Sequence, residues 1–285
     1  MPIDVAQALA AEPRSAGIAW GHKDVQLYHL GLGAGVPATG PDELRYTLES
    51  RLHVLPSFAT VAGAGSPGVI NGLSMPGVDV NLAHVLHGGQ TIALHRPIPV
   101  EGAAVATTRI AAVYDKGKAA ILVVRTEVAD DEGPLWTNDA QIFVRGEGGF
   151  GGDRGPSTRS EPPTGVPDKT VEREIREDQA LLYRLSGDWN PLHADPEFAK
   201  LAGFDRPILH GLCTYGMTLK AVVDTLLGGD VARVRSYSTR FAGVVFPGET
   251  LRIRMWRKDG RAQVTVTAVE REDAPVLADT IVEHT

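Results

Sequence analysis

Strict alternation of apolar and polar residues recurs towards the C-terminus and predicts strands with one buried face. Leu251-Arg252-Ile253-Arg254-Met255 follows Pro247-Gly248 and precedes Asp259-Gly260, a dipeptide suited to a tight hairpin. Val264-Thr265-Val266-Thr267 alternates again, Glu272-Asp273 marks another turn, and residues 276–282 supply a further strand. The first half repeats that order. It runs Glu101-Gly102, an apolar segment through Ile110, the turn Asp115-Lys116-Gly117, the run 119–128, the turn Asp131-Glu132-Gly133 and residues 136–144. The chain therefore reads as a duplicated antiparallel meander, and the copies lie too far apart for a solenoid repeat, so a whole domain is duplicated.

Helical periodicity is clearest between these strands. Leu212, Gly216, Leu219, Val223 and Leu226 recur at steps of four and three, one stripe of a helix that Gly228-Gly229 terminates. In the first half, Pro56-Ser57-Phe58 opens a short Ala-rich segment that breaks at Gly63 and Gly65. An antiparallel sheet wrapped around a central helix, built twice, is an α+β arrangement. Residues 146–168 hold 11 Gly or Pro among 23 positions and show no apolar period, the composition of a linker. The expected organisation is an N-terminal domain 1–145, a linker 146–168 and a C-terminal domain 169–285.

Composition narrows the function. The chain has 285 residues, 43% hydrophobic and 22% charged, which suits a globular protein rather than a disordered one. A net charge of −7 disfavours nucleic acid as a partner. A single cysteine, Cys213, excludes an internal disulfide and is expected as a small buried side chain. The opening Met1-Pro2-Ile3-Asp4-Val5 lacks a basic region followed by an apolar stretch, apolar runs such as 119–124 are too short to span a membrane, and Glu283-His284-Thr285 is not a peroxisomal address. Cytoplasm is the expected compartment, without a membrane partner.

Two apparent motifs fail. In Gly31-Leu32-Gly33-Ala34-Gly35 the last spacing is wrong for a dinucleotide loop and Pro37 follows, so a glycine turn is expected. Gly72-Leu73-Ser74-Met75-Pro76 carries Pro76 where a nucleophile elbow needs glycine. No histidine spacing suits a metal, and neither metal nor cofactor is expected.

The chemistry concentrates in residues 183–195. A helical segment, 178–185, ends at Ser186-Gly187, and Pro191 biases Asn190 away from helical geometry. Asp188 and His193 therefore share a loop on which a carboxylate and an imidazole can converge on one water, as acid–base catalysis requires. The same residues also suit turn chemistry, with His193 a structural residue near the helix that Pro196 opens. Downstream, Pro207-Ile208-Leu209-His210-Gly211 places the Gly211 N–H at the start of the clear helix, where it can meet a developing oxyanion, although a plain glycine at a helix start is also common.

The run Ser186-Gly187-Asp188-Trp189-Asn190-Pro191-Leu192-His193-Ala194-Asp195, followed by Leu201-Ala202-Gly203-Phe204-Asp205-Arg206-Pro207-Ile208-Leu209-His210-Gly211-Leu212-Cys213-Thr214, resembles the hydratase 2 motif of MaoC-like R-specific 2-enoyl-CoA hydratases. Tyr28-His29-Leu30-Gly31-Leu32-Gly33-Ala34 and His84-Val85-Leu86-His87-Gly88-Gly89-Gln90 resemble the N-terminal half of the two-domain enzymes, such as the hydratase part of peroxisomal multifunctional enzymes type 2. The resemblance implies a double hot-dog fold. It implies that Asp188 and His193 are the catalytic pair, that Asn190 orients the water or the pair, and that Gly211 donates its N–H to the thioester oxygen. Trp189, Pro191 and Leu192 in the motif, together with His87, Gly88, Lys116 and Phe241, match substrate-contacting positions. It further implies an acyl-CoA substrate, in fatty-acyl or steroid side-chain β-oxidation, and a homodimer. Three other readings share the residues: a dehydratase acting on carrier-protein thioesters, a non-catalytic acyl-CoA-binding subunit, and a thioesterase.

Overall fold

A computed structural model describes residues 3–63, 73–81, 84–156 and 163–285. The first half supplies β1 (Arg14–Trp20), β2 (Val85–Leu94), β3 (Gly102–Asp115), β4 (Ala119–Asp130) and β5 (Gly133–Arg145). The second supplies β6 (Lys169–Glu174), β7 (Val234–Phe241), β8 (Thr250–Lys258), β9 (Arg261–Ala268) and β10 (Ala274–His284). Among the described residues these strands form one sheet in the order β1-β3-β4-β5-β2-β7-β10-β9-β8-β6. Read outwards from the centre, each half has the same order, so the duplication is visible in the topology. The two expected sheets meet edge to edge: Gly89 to Ala93 of β2 pair antiparallel with Arg240 to Ser236 of β7.

The alternating segments form strands because alternation gives each one a face to bury. In β9, Ala262, Val264, Val266 and Ala268 are buried while the residues between them are not. Asp259 and Gly260 both take positive φ, 48° and 74°, which matches the turn to the twist of the strands it joins.

The helix Gly211–Leu226 carries the core of the second half, and its residues from Cys213 through Val223 are all buried. Its partner in the first half is a single 3₁₀ turn, Pro56–Thr60, also buried; Gly65 and Gly72 lie outside the described residues. One apolar cluster runs through both halves, from Trp20, Phe58 and Trp136 to Leu219, Tyr237 and Ile253. Tyr215 of the helix and Tyr237 of β7 stack at 4.0 Å, and each hydroxyl donates to the other's backbone carbonyl. A second link crosses between the halves. Buried Lys220 donates to Asp224 at 2.9 Å on its own helix and to Glu43 at 2.8 Å on the helix Pro41–Thr47.

The glycines at 31–35 end the helix His22–Gly31, with Leu32 and Gly33 N–H groups returning to Tyr28, His29 and Leu30 carbonyls. Cys213 is buried. No helix among the described residues is long and apolar enough to cross a membrane. The linker expectation needs one correction: residues 148–156 do not hang free but dock on the β3–β4 hairpin, because Asp115 accepts their backbone N–H groups.

Candidate active site

The helix Gln179–Tyr183 tightens into a 3₁₀ turn, Arg184–Ser186, and Gly187, at φ 120°, reverses the chain. Pro191 then opens a second 3₁₀ turn, Pro191–His193. Asn190 caps it, its Oδ1 accepting the Leu192 N–H at 3.0 Å. The Asn190 backbone N–H donates to Asp188 Oδ1 at 3.1 Å, which steers the carboxylate. Arg184 holds the loop from behind by donating to the Trp189 carbonyl at 2.9 Å.

His193 is buried at the end of this turn and donates from Nδ1 to the Ile208 carbonyl at 2.8 Å. That bond fixes the tautomer and leaves Nε2 as the nitrogen with a free lone pair. Burial lowers the ring's pKa, and Arg184 adds to this, while the Ile208 bond and Asp188 oppose it. His210 stacks on His193 with centroids 3.7 Å apart and 29° between planes, and its Nε2 donates to the Asp188 backbone carbonyl at 3.2 Å. Burial, then the neighbouring His193, push His210 down to about 3, so it stays neutral. One side-chain oxygen or nitrogen from each of Asp188, His193 and His210 lies within 4.8 Å of the others.

Each ring commits one nitrogen to a backbone carbonyl, which sets its tautomer and leaves one in-plane lone pair per ring.

A groove of about 480 Å³ is lined by His87, Gly88, Tyr114, Lys116, Arg240 and Phe241 among others. It brings together the four substrate-contact candidates outside the motif. Gly88 is an extra residue in β2, since His87 pairs with Ile142 and Gly89 with Gln141. This bulge lies next to the seam and sets His87 edge-on to Phe241 at 4.9 Å. Burial lowers His87 to about 4. Phe241 also borders the helix start, where a Cβ on Gly211 would stand 3.1 Å from its ring. The Gly211 N–H opens the helix and has no carbonyl a turn earlier to donate to.

Trp189 is 59% exposed and lies 5.2 Å under the Arg184 guanidinium, while Pro191 and Leu192 form the second 3₁₀ turn of the loop. His210, Arg184 and Arg240 went unread in the sequence. His210 alone left a trace: it holds the N-cap position of a long helix, where Ser, Thr, Asp or Asn is preferred, and makes no side-chain cap bond.

Residues 159–276 match the MaoC like domain family and residues 19–146 the MFE-2 hydratase 2 N-terminal domain family. The chain belongs to the MaoC-like hydratase 2 family. It is 48% identical over 279 residues to an enoyl-CoA hydratase of Mycobacterium tuberculosis, covering 98% of each chain. It is 40% identical to the peroxisomal enoyl-CoA hydratase 2 of Arabidopsis thaliana, over 91% of this chain and 88% of that one. Among solved structures, a MaoC-like dehydratase from Phytophthora capsici superposes with a TM-score of 0.89 at 31% identity, covering 99% of this chain and 98% of that one.

Proposed function

We propose that the protein hydrates trans-2-enoyl-CoA thioesters to (3R)-3-hydroxyacyl-CoA, reversibly, as a step of β-oxidation. The observation that carries this reading is the convergence of Asp188 and a neutral His193, with Gly211 at the start of the following helix packed against Phe241, which lines the groove. Family membership and the enoyl-CoA hydratases among the relatives support it.

One water bridges the Asp188 carboxylate and His193 Nε2. His193 takes a proton from it as its oxygen bonds to C3, and the C2=C3 electron pair moves to the thioester oxygen. The Gly211 N–H, at the positive end of its helix, meets the enolate charge that forms there and so favours the transition state over the ground state. The proton returns through the pair to C2, on the face the water attacked, and the carbonyl reforms. Asn190 acts on Asp188 through its backbone N–H. His210 holds both catalytic groups, one by stacking and one by its bond to the Asp188 carbonyl. His87, Gly88, Lys116 and Phe241 hold the thioester in the groove.

The test adds purified protein to a medium-chain trans-2-enoyl-CoA, follows the enoyl-thioester absorbance, and passes the product to R-specific and S-specific hydroxyacyl-CoA dehydrogenases. Loss of absorbance with product oxidised only by the R-specific enzyme is expected. No change across short, long and branched chains would overturn the proposal.

A further inference from the structure

The hairpin β3–β4 ends in an aspartate whose side chain does more than turn the chain. Asp115 is 6% exposed, and its Oδ1 accepts the N–H groups of Gly117 at 2.7 Å and Gly149 at 2.8 Å, while Oδ2 accepts that of Gly151 at 2.7 Å. Its own N–H donates to the Asp153 carbonyl at 2.7 Å. Lys116 Nζ donates to the Arg154 carbonyl, and Gly155 lies so close on the Tyr114 ring that a Cβ there would stand 2.5 Å from it. Bonds from Gly149 and Gly117, with that from Gly151, hold the Asp115 carboxyl below the usual carboxylate range against the opposing effect of burial.

The corresponding hairpin of the second half turns on Asp259-Gly260 alone, with both residues at positive φ, so a clamp of this kind is not needed to close a hairpin. What the clamp adds is a surface. Tyr114, Lys116 and Pro156, which it gathers, line the same groove as Arg240, His87 and Phe241. Phe241 of that groove packs on Gly211, and the groove also carries two cationic side chains, Lys116 and Arg240, the second paired with Asp279.

We propose that Asp115 is a positioning residue for substrate affinity: its carboxylate folds residues 148–156 onto the hairpin and so builds the groove wall on which the CoA part of the thioester rests. This rests on the proposed function. The clamp acts on binding of the carrier portion and leaves the bond-making end untouched.

The experiment compares Asp115→Ala and Asp115→Asn with the wild type on one enoyl group carried by CoA and by N-acetylcysteamine, which lacks the nucleotide. For the CoA thioester KM is expected to rise about tenfold with kcat within about twofold, while kcat/KM for the cysteamine thioester changes by less than about twofold. Calorimetric affinity for CoA alone should fall by the same factor as KM rises. Amide exchange at Gly149 and Gly151 should accelerate without change at core strands. Equal losses on both thioesters, or freed amides with unaltered CoA affinity, would overturn the proposal. Asp115→Asn, which keeps one acceptor oxygen, carries the test if the alanine variant does not fold. CoA affinity is read without turnover, so a protein that binds CoA through the clamp yet hydrates no enoyl-CoA would sink the proposed function and leave the clamp standing.

Discussion

The two halves share a strand order but have spent it differently. The second half has a sixteen-residue central helix and, ahead of it, the loop that carries Asp188 and His193. The first half reduces its described helix to Pro56–Thr60 but lengthens its hairpin, with 14 and 12 residues in β3 and β4 against 9 and 8 in β8 and β9. A long buried helix supplies a dipole end and a rigid base for a reactive loop, whereas a long hairpin supplies a wall. Chemistry and containment are thus divided between two copies of one design, and the groove lies where they join.

Histidines break the comparison most sharply. His193→Ala or Asp188→Asn is expected to cut hydration by about 10³-fold, within the usual range for an acid–base group, and Asp188→Asn, on an exposed side chain, is expected to leave the melting temperature unchanged. In the first half His29 is just as buried, but its Nδ1 donates to the Tyr46 carbonyl and its Nε2 accepts from Leu55 N–H. His29→Ala should therefore cost stability, about 2 kcal/mol by denaturant titration, and leave kcat little changed. Turnover within tenfold of wild type in both active-loop variants would refute the assignment.

Next in size is the bond between the halves. Lys220→Ala leaves the partly buried Glu43 and Asp224 carboxylates without their shared cation and is expected to cost about 3 kcal/mol in chemical denaturation. Replacing both carboxylates by their amides in the same chain should recover part of it.

Acid separates rate from stability. Hydration needs neutral His193, whose folded pKa burial sets below the ordinary 6.5, so kcat/KM should hold through neutrality and fall only on the acid side of that value. His29 and His210, both near 3 when folded, gain protons near 6.5 once unfolded. The unfolded state then binds more protons, so their contribution is complete above 6.5 and is lost as pH falls towards 3. A stability curve flat between pH 7 and 4 would contradict this. The smallest effect sharpens the groove's outline: Trp189→Ala, on an exposed ring beside Arg184, should change KM by less than about twofold.

Much of this was legible because it is local. The alternation in 251–255 and 264–267, the turns at 115–117 and 259–260, and the stripe from Leu212 to Leu226 each carry their structure in consecutive residues. The loop proposed to be catalytic was legible through a contiguous motif. Arrangements that depend on remote partners left little trace. No spacing links Asp115 to glycines more than thirty residues on, and a glycine-rich run looks like a tether whether or not a carboxylate collects its N–H groups. The bulge at Gly88 shows only once β2 and β5 are paired. Pro191 opens the second 3₁₀ turn and the Leu192 N–H completes the Asn190 cap, so these motif residues also shape the loop.

The mirrored strand order has an evolutionary and a folding consequence. Had the copies arisen as separate chains, β2 and β7 would each have been a bare edge of unsatisfied amides and carbonyls, and meeting at a pseudo-twofold axis would have covered both. Fusion would then have made that meeting permanent and freed one copy from having to keep an active loop. It also means that neither half is a finished object: a chain severed within residues 146–168 would display a sticky edge, and its fragments should seek each other, a second copy of themselves, or an aggregate.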